Sequence, residues 1–477
     1  MVATKPSVRM SSTQTPVDHG YAWVVLASCV LLRLLVDGFW SCLGILMLQW
    51  ETRFSATASQ TGWIGSTFMF ILLSAAPVAS ALSHRLTYRV VVVGAGIIIA
   101  VCTFSLSFVT QLWQVYIIMP ILGFGLGISF QTSMIYFVYY FDKRYAFANG
   151  LASAAGGIGF FVFPPFMETL NTYYGSDGAL QLISAIMANI CVLGALLRPS
   201  NYELNRRTKS SNEKLKLKPP ETDFSRLETD YKSEERRFNA CWVFLKELAD
   251  NFDLSLFRRI PFVFQAIING FLQGGIFCIS VYLIPYSASI GISDLNSSFL
   301  LSALGVSIFI VRLSPLVGYL VDKKIVSKSM LTGTCYLVNG VATVIIPFTT
   351  SYGGLMAMSV VFGMTVGIGG AVIMVICTMA AGSKDKAPGA TAWCLLLCGI
   401  GSLVTLLLAG FLRDATGSFK PPLTLCGVFT ICMGFNCLSY PLQKRWQEKI
   451  DNRRELKRAS SQCDYTSLPD VSKSSQV

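Results

Sequence analysis

Histidine is almost missing from this chain: its 477 residues include only His19 and His84. With no second imidazole nearby and no clustered cysteines, a metal centre has no ligand set, and no cofactor is expected. Charge is scarce as well. Asp, Glu, Lys and Arg make up 13% of the residues, against roughly 25% in a soluble globular domain. That shortage excludes an ordinary water-soluble fold. A cleavable leader is also not evident, because residues 1–20 are polar and the apolar run from Tyr21 is long enough to be a span itself. The 14 cysteines fall mostly inside apolar runs, with Cys241 and Cys463 outside them, so no disulfide framework is expected. Within the apolar runs no nucleophile stands beside a base or metal pair, which argues against an enzyme.

Hydrophobic length is what the chain has instead. Hydrophobic residues make up 53% of it, and about 20 in succession suffice to cross a bilayer core. Spans are predicted at 21–48, 61–82, 89–109, 112–138, 145–169, 178–198, 260–289, 297–321, 329–350, 353–381, 386–411 and 421–443. Residues 199–257 interrupt the series with Lys, Arg, Glu, Asp, Ser and Pro219-Pro220, the composition of a mostly disordered linker. Within it, Ala240–Asn251 fits a short amphipathic helix on the membrane surface. The expected organisation is an N-terminal tail over 1–20, a six-helix bundle over 21–198, the linker over 199–257, a second six-helix bundle over 258–443 and a C-terminal tail over 444–477.

The net charge of +12 does not imply nucleic acid. Basic residues fall on alternate loops: Arg85 and Arg89, Lys143 and Arg144, the linker, Lys323, Lys324 and Lys328, Lys384 and Lys386, and the tail after Lys444. That alternation follows the positive-inside rule and puts both termini in the cytoplasm, with anionic membrane lipid as the partner of the basic excess.

Three charges inside spans stand out. Arg33 and Asp37 lie in the first and Arg312 in the eighth. A charge at mid-membrane depth costs roughly 2.5–3.5 kcal/mol on insertion scales, so it needs a partner or a task. Arg33 and Asp37 are four apart and share a helix face, which Ser41 continues. Either the pair is a structural ion pair, or it takes part in transport. In the second case Asp37 stays ionised beside Arg33, and a substrate carboxylate that claims Arg33 leaves Asp37 free to take a proton. Arg312 is permanently charged, suits a carboxylate through its planar fork, and cannot itself carry a proton. The polar Gln131, Gln265, Asn269, Gln273 and Asn436 either line a cavity or bond between helices, and the aromatic Phe39, Trp40 and Trp393 face either a pocket or lipid. Glu168 falls near the outer end of the fifth span. Glycines crowd the fourth, fifth and tenth spans as helix-packing positions, and Pro120 and Pro164-Pro165 are expected to kink or interrupt their helices.

Two segments resemble the monocarboxylate transporter family, a branch of the major facilitators. The first is Asp18-His19-Gly20-Tyr21-Ala22-Trp23, where His19 and Tyr21 depart from the usual Gly and Trp. The second, opening the fifth span, is Tyr140-Phe141-Asp142-Lys143-Arg144 with Ala148-Asn149-Gly150-Leu151-Ala152, Ala154 and Gly159. Lys143-Arg144 reads physically either as a lipid anchor or as part of a gate. The resemblance implies an all-α membrane protein with twelve transmembrane helices in two six-helix bundles, the major facilitator fold. The substrate is then held between the bundles near the midplane. It also implies an alternating-access transporter of the cell membrane carrying small organic acids, with Arg312 on the substrate carboxylate. Met374 stands where some relatives use Phe to limit substrate size. A single-span glycoprotein chaperone joins the partners to be considered.

The departures from the family are informative. Its proton-coupled members carry Asp where Ile308 stands and Lys where Ser41 stands. The chain therefore resembles a divergent member, and proton symport of lactate does not carry over. Two other readings stay open: a facilitative carrier of amino acids or other zwitterionic or amphipathic solutes, and a non-transporting membrane sensor.

Overall fold

The computed structural model describes residues 20–136, 140–141, 144–198, 254–314, 326–382 and 387–466. Among them every regular element is helical. The first span is α1 (Tyr21–Ser41) continued by α2 (Leu43–Phe54), the two meeting at Cys42. Then follow α3 (Ala58–Arg85), α4 (Tyr88–Ser105), α5 (Leu112–Ile135), α6 (Tyr145–Met187) and α7 (Asn189–Leu196). The second half has the single turn α8 (Ile260–Val263), a π-helical turn at Phe264–Ile268, α9 (Asn269–Ser289) and α10 (Asp294–Leu313). It continues with α11 (Lys328–Ile345), α12 (Tyr352–Ala380), α13 (Ala387–Thr416), α14 (Lys420–Leu438) and α15 (Tyr440–Thr466).

Side-chain caps mark where several of these helices begin. Thr57 and Gln60 form a reciprocal capping box at the start of α3, and Ser293, Ser327 and Ser351 each accept a backbone N–H at the starts of α10, α11 and α12. Each supplies a partner for an amide that the helix cannot satisfy itself, a need sharpened by apolar surroundings.

Eleven described helical stretches are long and apolar enough to cross a membrane. One of them, Phe147–Leu196, has 50 residues. At 1.5 Å per residue it would measure about 75 Å, more than twice the roughly 30 Å of a hydrocarbon core. Gly175, with φ 69° and ψ 172°, breaks it into two passes. The twelve expected crossings are thus present, and the protein is a multi-pass membrane protein. An even number of crossings puts the start of α1 and the end of α14 on one face, called here the terminal face; the other is the far face.

Of the two outcomes expected at the prolines, interruption does not occur; the interruption of α6 is at Gly175. Helix α5 continues through Pro120, and α6 continues through Pro164 and Pro165. The Ser302 hydroxyl of the other half donates to the Phe161 carbonyl at 2.8 Å, the group that Pro165, lacking an N–H, cannot satisfy. Residues 199–253, including the surface helix expected at Ala240–Asn251, lie outside the described residues, as do Asp18 and Lys143. The C-terminal segment expected as a tail from 444 is helical through Thr466.

The halves meet along α3 and α13, α6 and α10, and α2 and α9. Small residues permit the closest of these approaches. A Cβ on Gly157 would lie 2.6 Å from the Gly305 carbonyl oxygen, and one on Gly305 would lie 2.6 Å from that of Gly157. No larger side chain fits that α6–α10 crossing without moving a backbone. Gly159 packs in the same way, 2.5 Å from the Leu34 carbonyl of α1.

Candidate substrate site between the two halves

Arg33 and Asp37, one turn apart on α1, form an ion pair with Nε to Oδ2 at 2.6 Å. Both are buried, with 7% and 3% of their surface exposed. The Arg33 guanidinium also lies 3.9 Å from the centroid of the Phe130 ring of α5, a cation–π contact. The pair is not saturated: Nη1 of Arg33 and Oδ1 of Asp37 are buried without a hydrogen-bond partner. Gly156 of α6 makes room for it, since a Cβ there would collide with Asp37 Oδ2.

Arg312 approaches from α10 in the other half. Its Nη1 donates to the Ser153 carbonyl of α6 at 3.0 Å, its Nε is buried without a partner, and Gly370 of α12 leaves space beside Nη2. It interacts through space with both Arg33 and Asp37. All three charged side chains line one cavity drawn from both halves. Together they carry two positive charges and one negative, an excess of one positive charge.

The rest of the wall is largely apolar, including Met69, Leu72, Phe160, Phe277, Leu304, Phe362 and Ile373. Trp40 closes it toward the far face, meeting Phe160 edge-on at 5.3 Å and Phe277 of the other half at 5.0 Å. Farther out the halves are fastened by charge. Arg413 of α13 donates to both carboxylate oxygens of Glu51 on α2 at 2.7 Å. Asp414 accepts the Ala58 and Ser59 backbone N–H groups at 2.9 and 2.8 Å. Toward the terminal face the cavity reaches Gln265, Cys377 and Cys394.

Of the polar residues considered in the sequence, Gln265, Asn269 and Gln273 line the cavity, whereas Gln131 and Asn436 do not. Asn269 donates to Gln265 Oε1 at 2.7 Å, and Asn436 donates to Asn269 Oδ1 at 2.9 Å, so these amides largely satisfy one another. Ser41 lies outside the wall, and its hydroxyl donates to the Gly38 carbonyl at 2.6 Å. Ile308 is on the wall, so the position where the family carries Asp presents hydrocarbon here. The Met374 side chain lies outside the described residues. Trp23 packs on Phe141 and Phe147 at the terminal face, with the Arg144 guanidinium 5.7 Å from its ring. Gly150 lies 3.8 Å, measured from a built Cβ, from the Arg312 carbonyl.

The sequence model of the Major Facilitator Superfamily matches residues 29–387. The chain belongs to that superfamily. It is 27% identical over 450 residues to human monocarboxylate transporter 12, an alignment that covers 92% of this chain and 85% of that protein. Chicken monocarboxylate transporter 4 is 25% identical over 453 residues, covering 93% and 89%, and chicken monocarboxylate transporter 3 is 26% identical over 423 residues, covering 86% and 76%. The chain is therefore a transporter of the superfamily, and the resemblance first seen in two short motifs extends over most of its length.

Proposed function

We propose that this protein is an alternating-access carrier of small monocarboxylates, binding the carboxylate between Arg312 and Arg33. The observation that carries this reading is the meeting of Arg33, Asp37 and Arg312 from both halves in one cavity with one excess positive charge. Two buried guanidinium groups are costly, and a carboxylate placed between them offsets the charge of both. The unpartnered Nη1 of Arg33 and Nε of Arg312 are donors such a ligand can satisfy. The relatives' names, all monocarboxylate transporters, agree with this substrate class. Both termini lie in the cytoplasm, as the basic alternate loops suggest, and the home is the plasma membrane, as the family resemblance implies.

Asp37 is the coupling group in this proposal. A carboxylate that takes over Arg33 leaves Asp37 without its ion-pair partner, and a proton then takes the place of that partner. Uptake should rise when protons are concentrated on the side of entry. The test is uptake of labelled lactate and pyruvate into proteoliposomes with and without an inward proton gradient. Gradient stimulation in the native protein, lost in Asp37→Asn, is expected. Equal stimulation in both proteins would remove Asp37 from the mechanism.

The free Oδ1 of Asp37 favours one alternative, a zwitterion whose ammonium meets Asp37 while its carboxylate meets Arg312. An amino-acid panel in the same assay separates the two, because only that alternative has a substrate amine competing for the site.

A further inference from the structure

The carboxylate site occupies a small part of the cavity. Trp40 lies seven residues after Arg33 on α1, about two turns and on the order of 10 Å along the axis. Seven residues bring the side chain back to nearly the same side of the helix, so Arg33 and Trp40 face the cavity one above the other. Asp37 stands between them and holds the Arg33 guanidinium, and beyond it the wall around Trp40 is hydrocarbon, with Phe160 on one side and Phe277 of the other half opposite. A three-carbon acid held at the guanidinium groups leaves this upper region unfilled.

Trp40 has a second property. Its Nε1 is buried and has no hydrogen-bond partner. A buried indole N–H ordinarily has an acceptor, and leaving one unpaired is costly. Edge-to-face contacts with Phe160 and Phe277, at 5.3 and 5.0 Å, hold the indole in place. The arrangement is a rigid aromatic seat with one hydrogen-bond donor, set above a cationic site.

We infer that the preferred substrate is a monocarboxylate with a ring or a comparably bulky apolar body, held by its carboxylate at Arg312 and Arg33 and by its body at Trp40. An acceptor oxygen carried on the body itself, such as a ring hydroxyl or ether, takes the Trp40 N–H. This rests on the carboxylate reading above and adds a size and shape preference to it. The seat joins rings from both halves, so a body placed there touches both sides of the interface that must open during transport.

Pyruvate and phenylpyruvate provide the test, since they share the carboxylate and 2-oxo group and differ by the ring. Equilibrium binding of each to purified protein in detergent or nanodiscs is compared for the native chain, Trp40→Phe and Trp40→Ala, with thermal unfolding to confirm that each variant is folded. The native protein should bind phenylpyruvate at least tenfold more tightly than pyruvate. That ratio should fall partway in Trp40→Phe, which keeps a smaller ring, and approach one in Trp40→Ala. Pyruvate binding with no ring preference, or a ratio untouched by either variant, overturns the aromatic seat and leaves the carboxylate reading standing. Binding of neither acid overturns both.

Discussion

Arg33 and Asp37 are readable from spacing alone, since opposite charges four apart on a helix face one another. The 2.6 Å contact between them is the direct consequence. Spacing also explains where reading the face went astray. Ser41 continues the row in steps of four, but each such step turns the helix about 40° past the previous residue. Trp40, seven from Arg33, drifts only about 20° the other way and so reaches the cavity in place of Ser41. The role of Arg312 came from resemblance, and no pattern in the sequence revealed that it would meet Arg33 across the interface. Gly156 was legible only as a small residue in a glycine-rich span; its contact with Asp37 belongs to tertiary structure. Gly156→Ala should displace the ion pair, costing about 1–3 kcal/mol as other overpacked sites do. Lower uptake and a lower Tm than the native protein are expected; unchanged values of both would show that Asp37 has room to move.

At the scale of elements, hydropathy located every span, but some ends differ: α10 stops at Leu313, eight residues before the predicted 321, and α2 runs to Phe54, six past the predicted 48. It works because lipid leaves a spanning backbone almost no choice but helix. The same rule lets prolines sit inside a span without ending it. In water a proline inside a helix usually ends or kinks it, whereas α5 and α6 carry theirs within continuous helix. Gly175 provides the actual break, and it lies between the two spans predicted at 145–169 and 178–198. Glycine crowding predicted close packing, and the α6–α10 crossing at Gly157 and Gly305 realises it. Which glycine faces which helix was not legible, because an apolar span shows little amphipathic contrast to orient it.

For the whole molecule, the two halves are fastened at the far face and the cavity extends toward the terminal face. Glu51 with Arg413, and Asp414 with the first amides of α3, are the fastenings. They join residues more than 350 positions apart in sequence, so no local pattern announces them. A charged hydrogen bond of this kind contributes about 1.5–3 kcal/mol, enough to move a balanced two-state equilibrium by at least tenfold. Glu51→Gln should therefore raise the share of molecules open at the far face. Thiol labelling of a cysteine introduced at Val281, which is buried against Gly44 in this closed layer, reads that share. Labelling is expected to be faster with Glu51→Gln than without it; equal rates would mean that the ion pair does not hold this state.

The most direct measurement is equilibrium binding of labelled pyruvate to the purified protein, native against Arg312→Ala, with thermal unfolding showing that both are folded. Loss of one partner from a buried charge pair costs about 2–5 kcal/mol, so affinity should fall at least thirtyfold in the variant. Unchanged affinity would contradict a carboxylate held at Arg312, and with it the reading of this cavity as a monocarboxylate site.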